Sequence, residues 1–275
     1  MAIESQLEES IGAWGAEYTD PMSTPLSWLQ SEIYQRMLEK LEPIKVLPNE
    51  ILLQPDFPGL GLQQLAKRFP RAQIDTVADS HLSLHQQMRL RMQRLFRGLL
   101  NRGTLLHQNP SSRENHYGLM ISCLELQHYE RPQDWIEIAP RQIREDGLLC
   151  FSYLGPDTGK ELRTSPQASP YLKNLPGALD MHDIGDALVQ KGFSDPVMDM
   201  EYLYLEYESV TTHLRDALAI GLVQSNTPVD ALSNALQGKK MTLEIVYGHA
   251  WVLGKNLSKS DGKTAYIRPD AIKRK

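Results

Sequence analysis

The chain has 275 residues, 41% of them hydrophobic, and its 34 acidic and 29 basic side chains leave a net charge of -5, enough apolar material for one large core or two small ones. Its two cysteines, Cys123 and Cys150, lie far apart in apolar runs, which excludes a disulfide framework or a cysteine metal site. Residues 1–238 carry 20 basic and 31 acidic side chains and residues 239–275 carry nine and three, so nucleic acid is not the expected partner and the basic tail at 255–275 reads as a solvated end.

The N-terminal stretch MAIESQLEESIGAWG has acids where a signal peptide needs Lys or Arg, and no apolar run approaches the ~18 residues of a membrane span. The expectation is a cytoplasmic protein with no membrane partner. Leu7, Ile11, Trp14 and Tyr18 fall on one stripe of a first helix. A second follows, with Thr24 as N-cap, Pro25 at the first helical position and Leu29, Ile33, Met37 and Leu41 as its buried face. Two helices over residues 1–45 therefore precede the first strand.

From Glu50 the pattern alternates. Strands are expected at 50–54, 73–78, 103–107, 116–123 and 147–154, with helices near 59–69, 80–100 and 131–144 between them. Apolar strands alternating with amphipathic helices predict an α/β fold with a mostly parallel sheet covered on both faces. Within 80–100, Leu84, Met88, Met92, Leu95 and Leu99 make the stripe expected to be buried, and the outer face collects arginines without acids. After Leu154 come a Pro-, Ser- and Gly-rich loop, a helix at 183–191, a strand-like run at 196–208, helices near 209–219 and 228–237, and a last strand beginning at Met241. The two late strands suggest an antiparallel edge on the parallel sheet, with a helical cap inserted at about 209–238 of a domain spanning 46–254.

One stretch bears directly on chemistry. In EILLQPDFPGLGLQQLAKRFP the strand-to-helix turn has the position of a nucleoside-binding glycine loop, but Pro55 and Phe57 stand where two of its glycines belong and only Gly59 and Gly61 remain. Proline removes an N–H donor and a phenyl ring takes up ligand volume. Leu53 replaces the acid near the end of the first strand. At the end of the second, Ala78 takes the ribose-carboxylate position and Asp79 follows one residue later, where it serves either as a ribose ligand or as an ordinary helix N-cap.

The stretches LGPDTGKELR (154–163), DMHDIGDALVQKGFSDPVMDME (180–201) and EIVYGHAW (244–251) resemble the malonyl-acyl-carrier-protein O-methyltransferases of biotin synthesis, class I S-adenosylmethionine-dependent methyltransferases, over about Trp14 to Trp251. The resemblance implies a Rossmann-like sheet with an antiparallel final strand, an N-terminal helical lid and a C-terminal helical cap. It implies S-adenosylmethionine as cofactor, held near Gly59, Gly61, Asp79 and Gln127, with Leu53, Pro55, Phe57 and Ala78 as departures. Tyr18 matches the tyrosine that closes over the cofactor, although Thr19 replaces the acid beside it. In SCLELQHYERPQDW, Leu126 and Gln127 are kept, while Cys123 and His128 stand for asparagine and tryptophan.

Methyl transfer to a malonyl carboxylate needs positioning and exclusion of water more than acid–base help, so a catalytic triad is not expected. Nor is a metal site, since the eight histidines show no ligand spacing. Arg91, Arg94 and Arg97 are candidates for docking an acidic acyl carrier protein, against the alternative of a solvated helix face. Two functions stay open: a degenerate member that has lost or weakened its cofactor site and acts by binding a carrier protein or an intact relative, and an active O-methyltransferase.

Overall fold

The computed structural model describes residues 27–55, 60–77, 113–126, 132–173, 179–224 and 240–253, the short stretches 105–106, 227–228, 259–260 and 265–266, and positions 88, 92, 232 and 236. The expectations for the first helix with Tyr18, for Phe57 and Gly59, for Ala78 and Asp79, for Arg91, Arg94 and Arg97, for Gln127 and His128, and for most of the basic tail lie outside the described residues.

Helix α1 (Ser27–Leu41) precedes strand β1 (Glu50–Gln54), which is followed by α2 (Leu60–Arg68), β2 (Gln73–Val77), β3 (Leu105–Leu106) and β4 (Tyr117–Cys123). Then come α3 (Pro132–Gln142), β5 (Ile143–Leu154), α4 (Lys160–Arg163), α5 (Met181–Gln190), β6 (Phe193–Glu206), α6 (Val210–Ala219) and β7 (Lys240–Val252). The strands form one sheet in the order β3-β2-β1-β4-β5-β7-β6. Strands β1 to β5 pair in parallel, and β7 runs antiparallel between β5 and β6. The two late strands are thus the antiparallel pair expected at one edge. The last strand lies inside the sheet because its middle is buried on both faces, whereas β6 alternates half-buried and exposed residues. A separate two-residue ladder joins β8 (Lys259–Ser260) to β9 (Ala265–Tyr266).

Each face of the sheet carries its own apolar layer. On one, Leu29, Ile33, Tyr34, Met37 and Leu41 of α1 and Leu62 and Leu65 of α2 pack on Ile51, Leu53, Leu119 and Ile121, with Leu214 and Ala217 of α6 farther along. The four α1 residues predicted as its buried face are all at most 5% exposed. On the other, Trp135, Ile136 and Ala139 of α3 and Ile184 and Leu188 of α5 pack on Leu52, Met120, Leu149 and Phe151. Burying side chains of this size contributes ~1.5–3 kcal/mol each before the entropy cost is counted.

One expectation about the 80–100 helix needs correcting. Met88 and Met92 are helical but 64% and 53% exposed, so they do not lie on a buried stripe. A spacing of four shows that two residues share a helix face; it does not show which face turns inward.

Glycine explains one crossing in the sheet. A Cβ on Gly248 would sit 2.3 Å from Cζ of Phe151 and 2.9 Å from Sδ of Met198. Only a hydrogen lets the Phe151 ring lie across β7 there and stack on Tyr153.

Candidate active site

The crossover helix after β1 lies on one face of the sheet and that after β4 on the other. The order therefore reverses between β1 and β4, and in open α/β sheets the crevice at the carboxyl ends of such strands is the ligand site. Gln54 and Pro55 end β1 there, both buried. Leu124, in a left-handed conformation at φ 59°, turns the chain out of β4 and leads to Glu125. The Gln54 Nε2 donates to Glu125 Oε2 at 3.3 Å, bridging the two strand ends. The Ser122 and Thr76 hydroxyls nearby are buried without a partner, which is costly unless something bonds them. Burial pushes the Cys123 thiol up to about 12, which keeps it protonated at neutral pH.

Leu53, at the position of the strand-end acid, is fully buried. Its Cδ2 lies 3.0 Å from where a Cβ on Gly61 would stand, and Tyr34 Cζ lies 3.4 Å away. The Tyr34 hydroxyl donates to the Gly61 carbonyl at 3.0 Å. Gly61 is therefore a close-packing point between α2, β1 and α1, while Pro55 presents no N–H to the crevice. At the end of β1 the described residues supply no carboxylate, the nearest described one being Glu125 beyond β4, and one backbone donor fewer than a glycine turn would.

The remaining motifs converge on the start of β7. Gly155 N donates to the Glu244 carbonyl at 2.8 Å, and Asp157 N to Glu244 Oε2 at 2.6 Å. Gly159, at φ 67°, donates to the Thr242 carbonyl at 2.8 Å, and its missing Cβ leaves room for Leu222. Thr242 bonds Glu161 through both its amide and its hydroxyl. Burial tends to raise the Glu161 carboxyl, but these bonds outweigh it and hold the group below its ordinary value. Burial raises Glu244 despite the Asp157 amide. At the far side of β7 the Tyr247 hydroxyl donates to Glu201, which also accepts from Arg36 at 2.6 Å, and Lys40 pairs with Asp199 at 2.5 Å. These contacts fasten α1 to the antiparallel pair.

Of the histidines in the motifs, His182 is an exposed partner of its own helix cap, Asp180, and His249 is half-buried beneath α1. No group of three His, Cys, Asp or Glu side chains among the described residues is arranged to hold a metal, and no described helix is long and apolar enough to cross a membrane. Sequence reasoning missed the Gln54–Glu125 bridge; two polar residues at apolar strand ends were the available signal.

A 3-2-1-4-5-7-6 sheet with its seventh strand reversed and a switch-point crevice between β1 and β4 defines the class I methyltransferase fold. Solved structures of that shape include the YcgJ protein of Bacillus subtilis, at TM-score 0.56 and 8% identity over 82% of this chain and 99% of that one. Another is phosphoethanolamine N-methyltransferase 2 of Haemonchus contortus in complex with S-adenosyl-L-methionine, at TM-score 0.51 and 15% identity over 80% and 52%. A malonyl-[acyl-carrier protein] O-methyltransferase of Gallionella capsiferriformans is 36% identical over 254 residues, 81% of this chain and 83% of that protein. The chain belongs to the malonyl-[acyl-carrier protein] O-methyltransferase family. No protein-family model matches it.

Proposed function

We propose that this chain is a family member whose cofactor site is degraded, so that S-adenosylmethionine binds weakly or not at all, and that it works by holding an acyl carrier protein or an intact relative. S-adenosylmethionine is the cofactor that the family resemblance brings, and when bound it supplies an electrophilic methyl group for a malonyl carboxylate already ionised at neutral pH. The observation that carries the proposal is the burial of Leu53 against Gly61 and Tyr34. The residues expected at the site, Gly59, Asp79, Gln127 and Tyr18, and the docking arginines Arg91, Arg94 and Arg97 remain part of this reading. Calorimetry of S-adenosylmethionine with the full chain is the test. Millimolar or undetectable affinity is expected, against a typical micromolar complex near about -8 kcal/mol; low-micromolar binding refutes it.

A second reading, an active O-methyltransferase with an unusual turn, draws on the unbonded Thr76 and Ser122 hydroxyls beside the crevice. It requires methyl transfer to malonyl-acyl-carrier protein by the purified chain.

A further inference from the structure

Away from the switch-point crevice, a cavity of 220 Å³ opens between α1 and the β5–β7–β6 end of the sheet. Met37 and Leu41 of α1, and Ile44 just beyond it, form its roof, and Val197 of the edge strand forms an apolar flank. Cys150 and His249, which are cross-strand partners in the β5–β7 ladder, lie side by side on its floor. Its volume exceeds the ~150 Å³ of an apolar cavity known to take up benzene.

Among the described residues, the charges around it are paired. Lys40, on the roof, is paired with Asp199 on the floor at 2.5 Å and lies over the Tyr247 ring, 4.8 Å from its centroid. The Tyr247 hydroxyl is committed to Glu201. Burial keeps the Cys150 thiol protonated, with its pKa pushed up to about 12, and lowers that of the His249 imidazole, leaving it neutral at pH 7. A carboxylate or ammonium entering here would meet Lys40 and Asp199 already paired with each other, and so finds no free counter-charge among the described residues. A neutral imidazole, by contrast, offers one donor and one acceptor, and no other described side chain bonds that of His249.

We infer that this cavity binds a small uncharged molecule with one ring and one hydroxyl, of the size of phenol, its ring between Met37, Leu41 and Val197 and its hydroxyl on His249. The inference is independent of methyl transfer. The site shares α1 with the Tyr34–Gly61 contact, so the same helix touches both places.

The test is calorimetric titration of phenol, toluene and benzoate into the full chain and three variants. Phenol is expected to bind saturably, and benzoate about tenfold or more weakly, as an unpaired charge in an apolar site requires. Val197→Trp, at an exposed edge position, and Ile44→Trp, from the roof, each fill the space and should weaken phenol by about tenfold or more while the unfolding midpoint holds. His249→Phe should weaken phenol by about tenfold and leave toluene unchanged within about twofold. No saturable phenol binding, benzoate as tight as phenol, or unaltered phenol binding in the two filled variants overturns the inference.

Discussion

Replacing Leu53 by aspartate supplies the strand-end acid that the family resemblance implies, but in this chain it sets a carboxylate into a fully buried position beside Gly61 and Tyr34. Two costs arise. Losing the apolar side chain and its packing costs ~2–5 kcal/mol, by analogy with large-to-small core changes. The charge itself then either finds donors or is expelled by protonation, with its folded pKa raised. A rise from about 3.9 to about 7 adds ~4 kcal/mol at neutral pH, at about 1.36 kcal/mol per unit. For an acid with a raised folded pKa, the unfolded state ionises first. The penalty is therefore absent below about pH 4, grows as the pH climbs to the folded value, and is complete above it. Leu53→Asn carries the same shape change without the titration, so urea unfolding of the two variants across pH 4 to 8 isolates the charge. The Asn-minus-Asp stability difference should widen with pH by several kcal/mol. A flat difference would mean that backbone N–H groups already receive the carboxylate, as in a functional cofactor turn, and would refute the argument for a degraded site.

Combining Leu53→Asp with Pro55→Gly and Phe57→Gly should return measurable S-adenosylmethionine affinity and flatten that pH dependence; a folded triple variant, checked by circular dichroism, that still ignores the cofactor would show that the turn is not the sole obstacle. Tyr34→Phe should cost ~1 kcal/mol in urea unfolding, because it removes one buried hydrogen bond to Gly61. Gly248→Ala forces a methyl within 2.3 Å of the Phe151 ring and should destabilise by ~1–3 kcal/mol, with an unchanged urea midpoint counting against the packing described. Because Thr242 holds the Glu161 carboxyl below its ordinary value, its contribution is full above about pH 4.5 and fades as the pH falls through the depressed value. The stability gap between the wild type and Glu161→Gln should therefore narrow on acidification.

Much of the architecture was legible because both periodicities were strong. The all-apolar run at Tyr117–Cys123 could only be a central strand, and the Leu29, Ile33, Met37, Leu41 spacing defined one face of α1. Met88 and Met92 misled because a stripe carries no sign of which neighbour, if any, covers it. At the crevice, the reading of Leu53 and Pro55 as departures rests on the family resemblance; the structure adds that both are buried at the end of β1. Gln54 and Glu125 each stood out as polar at an apolar strand end, but their pairing was not legible because they lie 71 residues apart and meet only through the parallel β1–β4 ladder. The cavity beneath α1 was hidden for the same reason, as Ile44, Cys150, Val197 and His249 come from four separate stretches.

Strand β6 closes the sheet in a way that limits how this protein can meet another. Its outer rim begins with a register shift between Ser194 and Val197, where Asp195 is left-handed at φ 49° and Pro196 has no N–H to offer. Farther along, Asp199 and Glu201 face α1 and spend their charge on Lys40 and Arg36. At that end an incoming strand would meet an irregular rim lacking the Pro196 donor, one of the devices by which sheets discourage end-to-end growth, whereas Val197–Glu206 stays in continuous register with β7. If the proposed partner docks at this end of β6, side chains rather than strand addition would carry the contact, and such contacts can be weakened one substitution at a time without unravelling the sheet.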